Sequence, residues 1–170
     1  MKTYIGIDPG LDGGIVELQG PHLDKRIMPT IKPGKGRKID LSELKVMATF
    51  WQMAIYYNRE IHVILEDPGG HAPSASGLRS MTYSFAVAEM LLVAFAIPYT
   101  IVRAQTWQRE FWKRPTLPKG QKFDNKGAAL AAARRIWPNE DWTKSERSTK
   151  PHDGMVDAAL LAEWGRRGNL

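Results

Sequence analysis

Four carboxylates stand where strand ends and one helix face could bring them together. Asp8 closes the apolar run Tyr4-Ile5-Gly6-Ile7 just before Pro9, Gly10, Gly13 and Gly14, and Glu66 closes Ile61-His62-Val63-Ile64-Leu65 just before Asp67-Pro68-Gly69-Gly70. Asp153 and Asp157 are four residues apart, so on a helix they project from one face about a turn from each other, where like charges repel unless a cation or a helix N-terminus offsets them. Asp157 is the harder to read as a surface acid, since it sits in Met155-Val156-Asp157-Ala158-Ala159-Leu160-Leu161-Ala162. If Asp8, Glu66, Asp153 and Asp157 converge, they form an all-oxygen site suited to Mg²⁺ or Mn²⁺. Two such ions about 3.5 to 4 Å apart activate an attacking water and stabilise the leaving 3′ oxygen of a phosphodiester. No Ser, Cys or Tyr nucleophile stands in a recognisable catalytic motif. His152, next to Asp153, reads as an auxiliary ligand, a polar group near the attacking water, or a helix cap. The plainer readings are a turn cap for Asp8 and a helix cap for Asp153.

The surrounding pattern says what must position these groups. Tyr4, Ile5, Ile7, Ile15 and Val16 predict a hairpin across Pro9-Gly10-Leu11-Asp12-Gly13, with glycine supplying turn angles, and a third strand near Arg26-Ile27-Met28. Leu41, Leu44, Met47, Ala48, Trp51 and Ile55 predict a helix over 39–57, capped by Asp40 or Ser42. The run 61–65 predicts an interior strand, 78–95 a long apolar helix, and 99–102 a further strand. A helical turn or two from Gln105, an Ala-rich helix over 126–137, a polar and mobile stretch from Glu140 to Lys150, and a last helix from about Asp153 to Trp164 complete the chain. The expected fold class is α/β: one domain, residues 1–170, with a mixed central sheet and helices on both faces. If strands 5–8 and 63–66 pair in parallel, Asp8 and Glu66 share a site.

Composition narrows the partners. The 170 residues are 43% apolar, enough for one core, and the absence of Cys excludes disulfides, thiol catalysis and thiolate metal sites. No run spans a bilayer and Met1-Lys2-Thr3-Tyr4 has no signal-peptide core, so a cytoplasmic protein without a membrane partner is expected. The net charge of +6 favours a polyanion, nucleic acid first. Two basic zones would contact phosphate: Lys35, Arg37 and Lys38 in a Gly-rich loop, and Arg109, Lys113, Arg114, Lys119 and Lys122, interleaved with Trp107, Phe111 and Trp112. Of these aromatics, Trp107 and Trp112 read as core rather than base-stacking residues.

At Ile5-Gly6-Ile7-Asp8-Pro9-Gly10 with Gly13-Gly14, Val63-Ile64-Leu65-Glu66, Thr106-Trp107-Gln108, Lys126-Gly127-Ala128-Ala129 and 152–162, the chain resembles the RuvC-like Holliday junction resolvases of the RNase H-like nuclease superfamily, particularly the shorter bacteriophage versions. The resemblance implies an RNase H-like fold. It also implies four acids binding two Mg²⁺ ions, with Mn²⁺ as a substitute, and a homodimer that makes paired nicks across four-way DNA junctions, in the host cytoplasm if phage-encoded. By motif position Asp8, Glu66 and Asp157 take three acid places and Asp153 the fourth. The spacing departs from the housekeeping enzymes, whose last two acids are one residue closer, and phage relatives act on branched DNA more broadly. The basic stretch Lys113 to Lys122 would grip the strand near the scissile phosphate.

Two rival functions fit parts of the sequence. One is a basic DNA-binding protein without catalysis. The other is an actin-like-fold sugar kinase or ATPase, whose phosphate loop Gly6-Ile7-Asp8-Pro9-Gly10 resembles, although such enzymes need two domains and this chain has length for one. For the dimer, a two-fold junction presents two equivalent strands, and the helix over 78–95 is the expected interface, with Met81, Phe85, Leu92 or their neighbours shared between core burial and the partner.

Overall fold

Apolar alternation and two turns generate the sheet's first half. In the computed structural model, which describes residues 1–69, 74–118 and 120–170, strand β1 (Thr3–Asp8) pairs antiparallel with β2 (Gly14–Gln19), placing Asp8 opposite Gly14. β2 pairs antiparallel with β3 (His22–Ile27), the expected third strand, begun earlier than its sequence suggested. The short strands β4 (Thr30–Ile31) and β5 (Lys38–Ile39) form a separate two-stranded sheet. The basic stretch 32–37, expected as a plain loop, is therefore the tip of a hairpin.

Helix α1 (Leu41–Tyr56) starts at Asp40, whose carboxylate accepts the Ser42 and Glu43 amides at 3.0 and 3.1 Å. The chain then enters β6 (Ile61–Asp67), which runs parallel to β1 in the register Thr3 with Ile61 through Ile7 with Leu65. After α2 (Ala75–Ala94), β7 (Tyr99–Arg103) adds in parallel to β6. The sheet order is β3-β2-β1-β6-β7, a mixed sheet as expected. The remaining helices are α3 (Ala104–Gln108), α4 (Asn125–Ile136) and α5 (Asp153–Arg166).

Strand periodicity divides the core in two. Ile5, Ile7, Ile15, Ile61, Val63 and Leu65 pack against Leu44, Met47, Trp51, Val87 and Leu92 of α1 and α2. The other face, with Val16, Ile64 and Val102, is covered by α3, α4 and α5. Full burial of each such aliphatic side chain stabilises the fold by roughly 1.5–3 kcal/mol. Asp8 and Glu66 carry the parity of Gly6 and Ile64, so both belong to the α5 face.

α5 lies so close to β1 and β2 that side chains are excluded at the crossing. A Cβ on Gly6 would stand 1.8 Å from the Ala158 carbonyl oxygen, and one on Gly14 would stand 2.6 Å from that of Gly154. The turn glycines therefore serve a different purpose from the one expected: Gly10, Gly13 and Gly14 do not have positive φ. Gly13 and Gly14 are required by proximity to backbone, not by turn angles.

The stretch after α4 is pinned rather than free. Trp142 is buried, Thr143 bridges to Pro151, and the His152 amide donates to the Trp142 carbonyl at 2.7 Å. Lys25 ties this stretch to β3 through Glu140 and the Asp141 carbonyl. Among the described residues, no helix is long and apolar enough to cross a membrane.

Candidate active site

The carboxyl ends of β1 and β6 and the N-terminus of α5 open onto one cleft of about 740 Å³. Asp8, Glu66, His152, Asp153 and Asp157 all line it, together with Asp12, Asp67, Arg37, Lys126 and Lys144. Parallel pairing brings the first two acids side by side: each follows directly on the last paired couple, Ile7 with Leu65. The tight crossing of α5 delivers Asp157 to them, and the Gly13–Gly154 bridge fixes the start of that helix against the β1–β2 turn.

Electrostatics shows how close these groups are in effect. Burial, then the charges of Asp8 and Asp157, push the Glu66 carboxyl up to about 8. Burial, then Asp8 and Asp153, push Asp157 up to about 7, against a lowering pull from Lys126. Burial also lifts Asp8 to about 6, although the Gly10 amide hydrogen bond opposes the rise and Asp12 adds to it. Burial is thus the largest cause at all three acids, with Asp8 adding to it at Glu66 and Asp157, and Asp157 adding to it at Glu66.

Two of the acids are anchored through a single oxygen. Asp8 Oδ1 accepts the Gly10 amide at 3.1 Å, which realises the turn-capping reading and still leaves Oδ2 without a hydrogen-bond partner among the described residues. Glu66 Oε1 accepts the indole N–H of Trp107 at 2.9 Å, leaving Oε2 in the same position.

The outer residues divide differently. His152 is the N-cap of α5: its Nδ1 accepts the Met155 amide at 3.3 Å, and burial lowers its affinity for a proton. Asp153 is ion-paired with Lys126, both side chains being substantially exposed. Arg37 reaches from the β4–β5 tip to Asp12 in the β1–β2 turn at 2.6 Å. Lys35, Lys38, Arg109, Lys113, Arg114 and Lys122 are exposed but do not line the cleft, and Arg114 donates to Gln108 at 2.5 Å. Lys119 lies outside the described residues.

Charge and donor chemistry suit a hard divalent cation: the buried side chains that carry charge into the cleft are carboxylates, two of them with an oxygen free of hydrogen bonds among the described residues. Asp8, Glu66 and Asp157 would hold it, with Asp153 as a fourth donor once its bond to Lys126 opens. In their present rotamers, among the described residues, no group of three or more His, Asp and Glu side chains is arranged to hold a single ion. The fit therefore lies in donor type and uncompensated charge, and it requires side-chain closure on the ion.

Sequence reading passed over Lys126, Lys144 and the bond from Trp107. Lys126 stood inside a helix signature, and Trp107 read as core, which it also is. The only advance signal for either was a residue type that could reach a carboxylate.

No family model matches the sequence, and no curated protein matches it. Solved structures do match. The chain aligns with T. thermophilus RuvC in complex with Holliday junction substrate at a TM-score of 0.58 and 11% identity, over 99% of this chain and 96% of that one. A second structure of Thermus thermophilus RuvC aligns at 0.53 and 12%, over 98% and 96%. The fold is RNase H-like. At these identities the likeness is one of architecture, extending over nearly the whole chain.

Proposed function

We propose that this protein is an endonuclease dependent on Mg²⁺ or Mn²⁺ that cleaves phosphodiester bonds in branched DNA, four-way junctions foremost, as a homodimer. The observation that carries this reading is the meeting of Asp8, Glu66 and Asp157 in one open cleft, where burial raises the proton affinity of all three, Asp8 adds to it at Glu66 and Asp157, and Asp157 adds to it at Glu66. Such a cluster is costly without a counter-charge, and a pair of divalent cations supplies that charge together with a site for phosphate oxygens.

When bound, the two cations would polarise the scissile phosphate and lower the pKa of an attacking water. The chain's own residues do the positioning. Asp8 and Glu66, set by strand pairing, offer Oδ2 and Oε2 from the sheet side, and Asp157 offers its carboxylate from the helix side. Lys144, together with Lys126 and Arg37 once their pairs with Asp153 and Asp12 open, would offer the cleft cations for a phosphodiester. His152, with Nδ1 occupied as a cap, keeps Nε2 as its one available polar atom in the cleft.

RuvC bound to a junction shares this architecture, which supports branched DNA as the substrate class. The test is incubation of end-labelled four-way, three-way, flap and linear duplexes with and without Mg²⁺. Metal-dependent nicks on branched forms are expected. Binding with no nick on any of them would leave the non-catalytic DNA-binding reading, and ATP-dependent phosphoryl transfer would favour the kinase.

A further inference from the structure

Trp107 has no access to solvent. Its ring is held edge-on by Phe111 and Trp112, at centroid distances of 6.2 and 5.7 Å, under the layer formed by α4 and α5. Its indole N–H nevertheless ends on Glu66 Oε1 at 2.9 Å, at the floor of the cleft. Burial alone does not enforce such a bond in this protein, since the indole nitrogens of Trp112 and Trp142 are buried without a hydrogen-bond partner. A Glu side chain at a strand end has three torsions and two equivalent oxygens, so left alone it would present either oxygen, or both, to the cleft. A rigid donor from behind restricts that freedom: Oε1 accepts the indole N–H, and Oε2 is left without a hydrogen-bond partner among the described residues. Aromatic packing makes the donor itself immobile, so the restraint passes from the core to the carboxylate.

We propose that Trp107 is a positioning residue for Glu66: its indole N–H fixes the carboxylate in a one-oxygen presentation toward the cleft and thereby sets the affinity of the site for a divalent cation. This rests on the metal-dependent reading given above, and it adds a specificity. A one-oxygen Glu ligand favours compact octahedral ions such as Mg²⁺ and Mn²⁺ over Ca²⁺, which readily takes a carboxylate through both oxygens.

Trp107→Phe keeps an aromatic ring between Phe111 and Trp112, deletes the donor and gives up part of the indole's volume. With wild-type helix content and metal-free junction binding retained, calorimetric Mn²⁺ affinity should fall roughly 10- to 100-fold, the range typical for loss of such a supporting bond. The affinity for Ca²⁺ should fall less or rise, and nicking should recover at high Mn²⁺, separating a metal-affinity effect from lost chemistry. A folded W107F with wild-type Mn²⁺ affinity overturns the proposal. Should the variant fail to fold, the wild-type indole ¹⁵N–¹H resonance of Trp107, assigned through bonds, decides. It should move during a Mg²⁺ titration with the calorimetric midpoint, and a resonance unmoved at saturation overturns the role. A wild-type protein that takes up no divalent cation would instead defeat the metal-dependent function itself, an outcome distinct from a metal-binding wild type matched by W107F.

Discussion

At the scale of single residues, the acids are unusual in being held against their own chemistry. Their ordinary proton affinities place ionisation near pH 4, whereas the folded protein keeps protons on Asp8, Asp157 and Glu66 to about 6, 7 and 8. Between these limits the folded state binds more protons than the unfolded chain, so this cluster's contribution to stability falls as pH rises from about 4 to about 8. Metal-free protein should therefore melt at a lower temperature at pH 8.5 than at pH 5.5. Asp157→Asn should flatten that slope, and Mg²⁺ should raise the melting temperature most at the alkaline end. Equal slopes for D157N and wild type by calorimetry would show that the folded state does not raise the proton affinity of Asp157. For activity, Asp8→Asn, Glu66→Gln and Asp157→Asn should each lower cleavage at least about 100-fold, in keeping with loss of a transition-state electrostatic contact, while junction binding stays or tightens. D157N with wild-type nicking across a Mn²⁺ titration would remove the α5 acid from the site.

At the scale of elements, the acids are legible because their positions follow from local rules. A carboxylate that ends a buried strand, and one that interrupts an apolar helix, are visible without knowing what they face. The parallel pairing of β1 with β6 was conditional in the sequence and is realised in the register that brings Ile7 opposite Leu65. What could not be read were contacts between remote segments. The Lys126–Asp153 pair spans 27 residues and the Trp107–Glu66 bond spans 41, and neither leaves a periodic trace. The glycines were visible but misread, because a glycine needed for a left-handed turn and one needed for helix-on-strand contact look alike in sequence. Gly6→Ala should make the distinction measurable: its Cβ would collide with the Ala158 carbonyl, forcing α5 off the sheet. We expect a loss of at least about 3 kcal/mol in urea unfolding, the upper range for overpacking. A loss below about 1 kcal/mol would mean that the crossing can relax.

At the scale of the whole molecule, exposed apolar and basic side chains make separate predictions about assembly and DNA binding. Of the α2 residues expected to be shared between the core and a second copy, Leu92 is buried, Phe85 packs against the core and Met81 lines the cleft. The exposed apolar side chains of α2 are Tyr83, Met90 and Val93, beside Val46, Phe50 and Met53 of α1. The expectation was built on helical periodicity, which marks the faces of a helix without saying which one the sheet takes. If the working form is a dimer joined through this surface, Met90→Glu should give a monomer by sedimentation without loss of helix content; an unchanged dimer would move the interface elsewhere. Neutralising Lys113 and Lys122 should weaken DNA binding across sequences and reduce its salt slope by roughly one per true phosphate contact. An unchanged slope would assign binding to the cleft wall alone.

The order in which the chain is made gives the placement of α5 a temporal meaning. This helix is at once the lid on one face of β1 and β2 and the source of Asp153 and Asp157. A ribosome-bound chain that has not reached residue 153 already carries Asp8, Glu66 and most of its basic residues, yet its central strand is bare on one side and the acid cluster lacks its helical half. The same short segment covers the second face of the sheet and supplies the helical half of the acid cluster, so the acids meet only in a chain whose core is closed.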